Sequence, residues 1–189
     1  MGAAKPDLHG ALLSPEEAQR MDAHGRTEAA VLVPMHGWPE APELVFTERR
    51  EDLRSHAGEI SFPGGRRDPG EELAETALRE AEEEIGLSRD DVEIAGALPP
   101  IGTFVTSYKV HPFVGLIEPG LSFTPNPNEV ERVIVASLDE LVAGFELRRL
   151  VRRGIPIKTE TYVAGDALIW GATARIVTVF LERLAYRCR

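Results

Sequence analysis

Cysteine is nearly absent: Cys188, beside the C-terminal residue, is the only one in 189 residues. A single thiol makes neither an internal disulfide nor a paired-cysteine metal site, and the composition suits a reducing compartment. Long apolar runs are missing too, for no stretch approaches the roughly eighteen residues of a membrane span. The opening MGAAKPDLHGALLSPEEAQR lacks the apolar run of a signal peptide. Pro6 occupies the position where a myristoylation signal after Gly2 wants a small hydroxyl residue. These absences predict a soluble, cytoplasmic protein with no membrane partner. Positive charge is scarce as well. Lys and Arg number 21 against 31 Asp and Glu, a formal charge of -10, which argues against nucleic-acid binding by counterion release. An anionic small molecule remains acceptable if something local neutralises it.

What is present is a globular composition, 43% hydrophobic and 28% charged. No internal repeat or low-complexity linker divides the chain. The reading is a leader over residues 1–26, with a short helix near Ser14–Met21 capped by Ser14 and Pro15, and one domain over 27–189. EAAVLVPM, ELVFTER, EISF, VEIAGALPPIGTFVT, YKVHPFVGLIE, ERVIVASL and ALIW read as strands bounded by turn residues. Helices are predicted around Leu138–Ala143 and from about Ala172 to Tyr186, where apolar residues recur at helical spacing. Strands in runs with two main helices among them predict a layered α/β (α+β) fold, a mixed sheet sandwiched between helices.

The most informative stretch is ALREAEEEIGL, Ala77 to Leu87, with glutamates at 80, 82, 83 and 84. Upstream, Asp68-Pro69-Gly70-Glu71 reads as a helix start, with Asp68 as N-cap and Pro69 at the first helical position. Gly86 stands where a left-handed helix end belongs. At about 100° per residue from Glu71, an apolar stripe containing Leu73, Ala77, Ala81 and Ile85 spans roughly 200° to 340°. Glu75, Glu82 and Arg79 fall on the opposite side. Glu80 and Glu83 flank the stripe, and Glu84 falls inside it, between Leu73 and Ala77. A carboxylate facing a core costs several kcal/mol unless it is paired or bound to metal. No lysine lies in this helix, and Arg79 points toward Glu75 and Glu83, steadying Glu83. Hard cations such as Mg²⁺ take carboxylate oxygens, water and substrate phosphates. Glu80, Glu83 and Glu84 offer those oxygens from one rigid element, so a cation site is preferred over a solvated acidic face.

The pattern Gly65-x5-Glu71-x7-Arg79-Glu80-Ala81-x-Glu83-Glu84-x-Gly86-Leu87 resembles the Nudix box of the Nudix hydrolases, with a smaller Ala81 than usual at its apolar position. The resemblance implies a three-layer α/β/α domain whose box holds Mg²⁺ or Mn²⁺ and acts on nucleoside diphosphate derivatives. It implies Glu80, Glu83 and Glu84 as metal ligands, Arg79 as the residue that orients them, and Gly65 as the point of close backbone approach, with its carbonyl as a further ligand. Upstream, VFTERREDLRSHAGEISFPGG is similar to the motif of the coenzyme A pyrophosphatase branch. Thr47, Arg49, Arg54, Gly58, Phe62, Pro63, Gly64 and Gly65 match; Arg50 and Val45-Phe46 depart from it. IWGATARI resembles that branch more loosely.

A phosphoanhydride is shielded by negative oxygens, and a metal ion neutralises them, orients the diphosphate and acidifies a bound water. Carboxylates bind cations and cations bind phosphates, which reconciles an acidic chain with an anionic substrate. Glu83, Glu80 and Glu129 compete for the role of general base. Arg49, Arg54, Arg66 and Arg67 are candidate phosphate contacts. His56 lies within the upstream motif. The expectation is a metal-dependent pyrophosphohydrolase acting on coenzyme A or its acyl thioesters, with a homodimer as what the family resemblance implies. The same chemistry on ADP-ribose or a nucleoside triphosphate, a Nudix-fold binding module without turnover, and a bland acidic surface helix are the rivals.

Overall fold

The segment TEAAVLVPMH is apolar without interruption from Ala29 to Met35, the pattern of a strand covered on both faces. In the computed structural model, which describes residues 7–53, 58–103, 107–152 and 155–186, this segment is strand β1 (Thr27–His36) of a large mixed sheet. Its companions are β2 (Glu43–Arg49), β3 (Ile60–Ser61), β4 (Gly64–Arg66), β5 (Glu93–Ala97), β6 (Ile101–Gly102), β7 (Tyr108–Leu116) and β8 (Val130–Ser137). The main order is β3-β2-β1-β7-β5, with β4 also paired to β1, β6 to β7 and β8 to β2. β1 and β7 run parallel from Thr27↔Tyr108 to Met35↔Leu116, whereas β2, β3, β4, β5, β6 and β8 join antiparallel.

The two faces of β1 feed two cores. Ala30 and Leu32 pack with Ala77, Ala81 and Ile85 of a 13-residue helix on one side of the sheet. Val33 and Met35 pack on the other side with Leu138 and Leu141 of a short helix and with Val177 and Phe180 of a second 13-residue helix. Numbered in chain order, the helices are α1 (Leu8–Ala11), α2 (Pro15–Arg20), α3 (Leu73–Ile85), α4 (Leu138–Ala143) and α5 (Gly171–Arg183). Helices on both sides of a mixed sheet are the layered α/β arrangement the sequence predicts.

Near the N-terminus, Ser14 caps α2 through reciprocal bonds, its hydroxyl accepting from the Glu17 amide at 3.2 Å and its amide donating to the Glu17 carboxylate at 2.9 Å. Leu8, Leu12 and Ala18 are buried, and Leu13 pairs with Ala97. The segment is thus packed beside β5. A three-stranded antiparallel sheet completes the fold, ordered β11-β10-β9 from β9 (Phe145–Arg152), β10 (Ile155–Ala164) and β11 (Ala167–Trp170). Sequence reading finds β11 but not the hairpin before it. FELRRLVR and IPIKTETYVA carry charges through their alternation, because part of this sheet faces water.

Candidate metal and substrate site

The acidic helix begins later than its sequence predicts. Its N-cap is Glu72, and Leu73 is the first helical residue. Asp68-Pro69-Gly70-Glu71 instead forms a turn, with the Glu71 amide donating to the Asp68 carbonyl at 3.1 Å and Gly70 at φ 84. Proline second and glycine third, the latter at positive φ, are the residues of a type II turn, and that turn outcompetes a helix start here. Gly86 ends α3 at φ 67, in the left-handed conformation predicted.

The turn frees Glu71 to anchor Arg79. Arg79 Nε donates to Glu71 Oε1 at 2.9 Å and Nη2 to Oε2 at 3.2 Å, while the Thr76 hydroxyl donates to Oε2 at 2.7 Å. The Arg79 hydrogen bond, more than any other contact, holds the Glu71 carboxyl down at about 2. Arg79 Nη1 reaches Glu80 at 3.0 Å and both Glu83 oxygens at 3.4 Å, and Nη2 also donates to the Arg66 carbonyl at 3.3 Å. Glu75, the other partner expected from helical spacing, is held instead by Arg89 at 2.9 Å. Arg79 therefore fixes Glu80 and Glu83 from a point that Glu71 sets.

Glu84 is where the helical phase puts it, 4% exposed within the apolar face of α3. Arg49 of β2 approaches, with Nη1 3.7 Å from Glu84 Oε1. Glu84 Oε2 and Arg49 Nε are buried without a hydrogen-bond partner. Burial, reinforced by the neighbouring Glu80 charge, pushes the Glu84 carboxyl up to about 8 despite Arg49. Burial also raises Glu80, against the pull of Arg79. Gly65 of β4 lies directly beneath Glu80: a Cβ there would sit 2.3 Å from Oε1, so any other residue at this position would push the Glu80 carboxylate aside. Glu82, by contrast, is exposed on the solvent side, 3.7 Å from Arg89.

Glu129 reaches the same place from a loop. The last turn of α3 grips that loop, since the Thr124 amide donates to the Ile85 carbonyl and the Asn126 amide to the Glu84 carbonyl, both at 2.8 Å. The Glu129 amide donates to the Asn126 carbonyl at 3.0 Å, and Glu129 Oε2 lies 3.9 Å from Arg49 Nη1. Arg49 thus stands between Glu84 and Glu129. Arg66 is exposed on β4. Arg67 donates to the Glu28 carboxylate and, at 2.6 Å, to the Glu71 carbonyl. Both line an open cleft of about 590 Å³ with Arg26, Glu28 and the Asp68–Gly70 turn. Arg54, His56 and Cys188 lie outside the described residues.

His111 escapes sequence reasoning because it belongs to no motif. It is buried 3.9 Å from Glu28, with both ring nitrogens unpartnered, and burial first, then Lys109, lowers it to about 4. Among the described residues no three acidic, histidine or cysteine side chains converge as a ready-made cage. Glu80 and Glu83 are turned onto Arg79. The donor set nonetheless suits a hard divalent cation: a buried carboxylate oxygen without a partner, two more carboxylates one and four residues earlier on the same helix, and a glycine backbone with no side chain in the way.

The NUDIX domain family matches residues 26–155, more than half of the chain. A Nudix hydrolase NudL of Photorhabdus laumondii, named as uncharacterized, is 39% identical over 166 residues, 86% of this chain and 87% of that protein. A namesake in Pectobacterium atrosepticum is 39% identical over 160 residues, 82% and 81% of the two chains. Among solved structures, a Nudix hydrolase from M. smegmatis superposes with a TM-score of 0.53 at 20% identity, over 70% of this chain and 81% of that one. A C. elegans Ap4A hydrolase superposes with a TM-score of 0.52 at 18% identity, over 62% and 85%; both likenesses concern the fold. Nudix hydrolases generally depend on divalent metal. The chain belongs to the Nudix family and is a hydrolase of phosphoanhydride bonds.

Proposed function

We propose that this hydrolase cleaves the diphosphate of coenzyme A or an acyl-coenzyme A, giving 3′,5′-ADP and 4′-phosphopantetheine or its acyl form. The observation that carries the proposed site is the buried carboxylate of Glu84 beside Arg49, one oxygen of which has no hydrogen-bond partner. Support for the substrate comes from the motif of residues 45–65, which delivers Arg49 to that carboxylate.

In this reading Glu80, Glu83, Glu84 and the Gly65 carbonyl hold Mg²⁺ or Mn²⁺. When bound, the ion neutralises diphosphate oxygens and lowers the pKa of a water. Arg79, pinned by Glu71, orients Glu80 and Glu83. Glu83, Glu80 or Glu129 takes the proton of the attacking water. Arg49 contacts the diphosphate from its place between Glu84 and Glu129. Arg66 and Arg54 supply further phosphate contacts, and Arg67 joins them only by exchanging Glu28 for phosphate. No helix of the described residues is long and apolar enough to cross a membrane; the reading keeps a cytoplasmic location, and the formal charge of -10 favours a small-molecule over a nucleic-acid partner.

The test is a substrate panel with Mg²⁺ and with Mn²⁺. Coenzyme A and its thioesters are expected to be cleaved with the highest kcat/KM, yielding 3′,5′-ADP. Cleavage of ADP-ribose or a nucleoside triphosphate with coenzyme A untouched would refute the substrate assignment while leaving the hydrolase.

A further inference from the structure

We infer that the free edge of β9 is the interface through which two copies of this chain pair, in one antiparallel register centred on Leu147. β9 is the outer strand of the small sheet, with β10 on one side and no strand on the other among the described residues. An unprotected edge offers a row of backbone donors and acceptors to another strand. This edge also carries apolar residues in water: Phe145 is 43% exposed, Leu147 57% and Val151 73%.

The backbone decides which residues can pair outward. The Val163 amide donates to the Gly144 carbonyl at 3.0 Å. Because hydrogen-bonded and non-bonded pairs alternate along an antiparallel ladder, Glu146, Arg148 and Leu150 direct their amides and carbonyls to β10. Phe145, Leu147, Arg149 and Val151 direct theirs to the open edge. A two-fold axis that falls between residues would set an outward group against an inward one, so the axis must pass through a residue.

Charge then selects among the centres. Like charges directly opposite destabilise an antiparallel pair, and opposite charges stabilise it. A centre at Glu146, Arg148 or Arg149 sets a charged residue against its own copy. A centre at Leu150 sets Arg148 against Arg152. A centre at Phe145 or Val151 leaves too little of β9 to pair. Only Leu147 opposite Leu147 avoids these conflicts. That register places Glu146 opposite Arg148 of the second copy, twice by symmetry, and Phe145 opposite Arg149. Within one chain Glu146 and Arg148 already attract at 2.6 Å, so both side chains lie on one face of the sheet and meet their counterparts there. On the other face the two exposed leucines meet at the axis. The product is a continuous six-stranded sheet, β11-β10-β9 joined to its copy.

Sedimentation of the full chain tests this with four proteins: the wild type, Glu146→Arg, Arg148→Glu and the double variant. Glu146 is exposed and Arg148 half-exposed, so the substitutions leave folding intact, which circular dichroism checks. The wild type is expected to dimerise. Each single variant turns two attractive cross-strand pairs into two repulsive ones and should raise the dimer Kd roughly tenfold or more. The double variant restores opposite charges across the axis and should recover wild-type association. A wild type that stays monomeric at high concentration overturns the inference, and so does binding of an acidic peptide along β9 by a monomer. A dimer indifferent to all three variants places the interface elsewhere and overturns it too.

Discussion

Helices α3 and α5 are both 13 residues long, both pack an apolar stripe against a sheet, and both carry a polar side chain inside that stripe. Their polar residues fare differently. Thr178 of α5 lies 2.8 Å from the Tyr162 hydroxyl, 3.1 Å from the Ala174 carbonyl and 3.2 Å from the Glu160 carboxylate. It is a satisfied core polar group, and its role is to lock α5 onto β10. Glu84 of α3 is just as enclosed, yet one of its oxygens has no partner and its nearest cation stands at 3.7 Å. A buried hydroxyl surrounded by three polar partners, beside a buried carboxylate left short of them, is the contrast that the proposed metal-ligand role of Glu84 predicts.

The sharpest way to break this contrast is to neutralise Glu84. Glu84→Gln is expected to lower kcat by orders of magnitude with Mg²⁺ while the protein stays folded, as steady-state kinetics and circular dichroism would show; near-wild-type turnover would return Glu84 to a structural role. Thr178→Val should do the reverse. Losing the hydroxyl leaves the Tyr162 group unpartnered and costs about 1–3 kcal/mol, lowering Tm by roughly 2–4 °C for each kcal/mol in a chain of this size, with kcat unchanged.

A finer separation comes from pH. Glu84 has a folded pKa near 8, above its unfolded value, so without metal its protonated form favours the fold and that advantage fades as pH rises from about 4.5 to about 8. His111 is lowered to about 4, so its contribution is complete above its unfolded value and lost as pH falls toward 4. The two slopes oppose each other between pH 4.5 and 6.5. The difference in Tm between metal-free wild type and Glu84→Gln isolates the carboxylate: the variant should gain on the wild type as pH rises toward 8. Glu71, held at about 2, acts below this window, losing its contribution as pH falls from about 4.5. Added Mg²⁺ should raise the wild-type Tm at pH 8 and leave the variant's nearly unmoved. The smallest effect belongs to Glu82→Gln. It shares the acidic run but points to water, and both its turnover and its Tm should match the wild type within error.

Much of this was legible in the residues. The phase of α3 separates Glu82 from Glu84 with no structural input, since one angle falls among solvated residues and the other between Leu73 and Ala77. β2 (Glu43–Arg49) and α4 (Leu138–Ala143) stand where turn residues and apolar runs bound them. The helix start failed because Asp68-Pro69-Gly70-Glu71 satisfies two local rules at once, and only Gly70's positive φ decides for the turn. Arg79's true anchor, Glu71, lies eight residues away and comes within reach through that turn. The placement of Glu129 depends on α3's last carbonyls holding the 124–129 loop, a tertiary contact no local pattern encodes. The β9–β10 hairpin was missed because charged residues interrupt its apolar alternation, and those charges are what fix the register proposed for its edge.

The proposed site requires that the carboxylates around Glu84 enclose a divalent cation. Anomalous diffraction from crystals soaked in Mn²⁺ measures this directly. A peak is expected within coordination distance of Glu84, with Glu80 or Glu83 swung from Arg79 to meet it. Crystals of an active enzyme that show no ion among these side chains would contradict it.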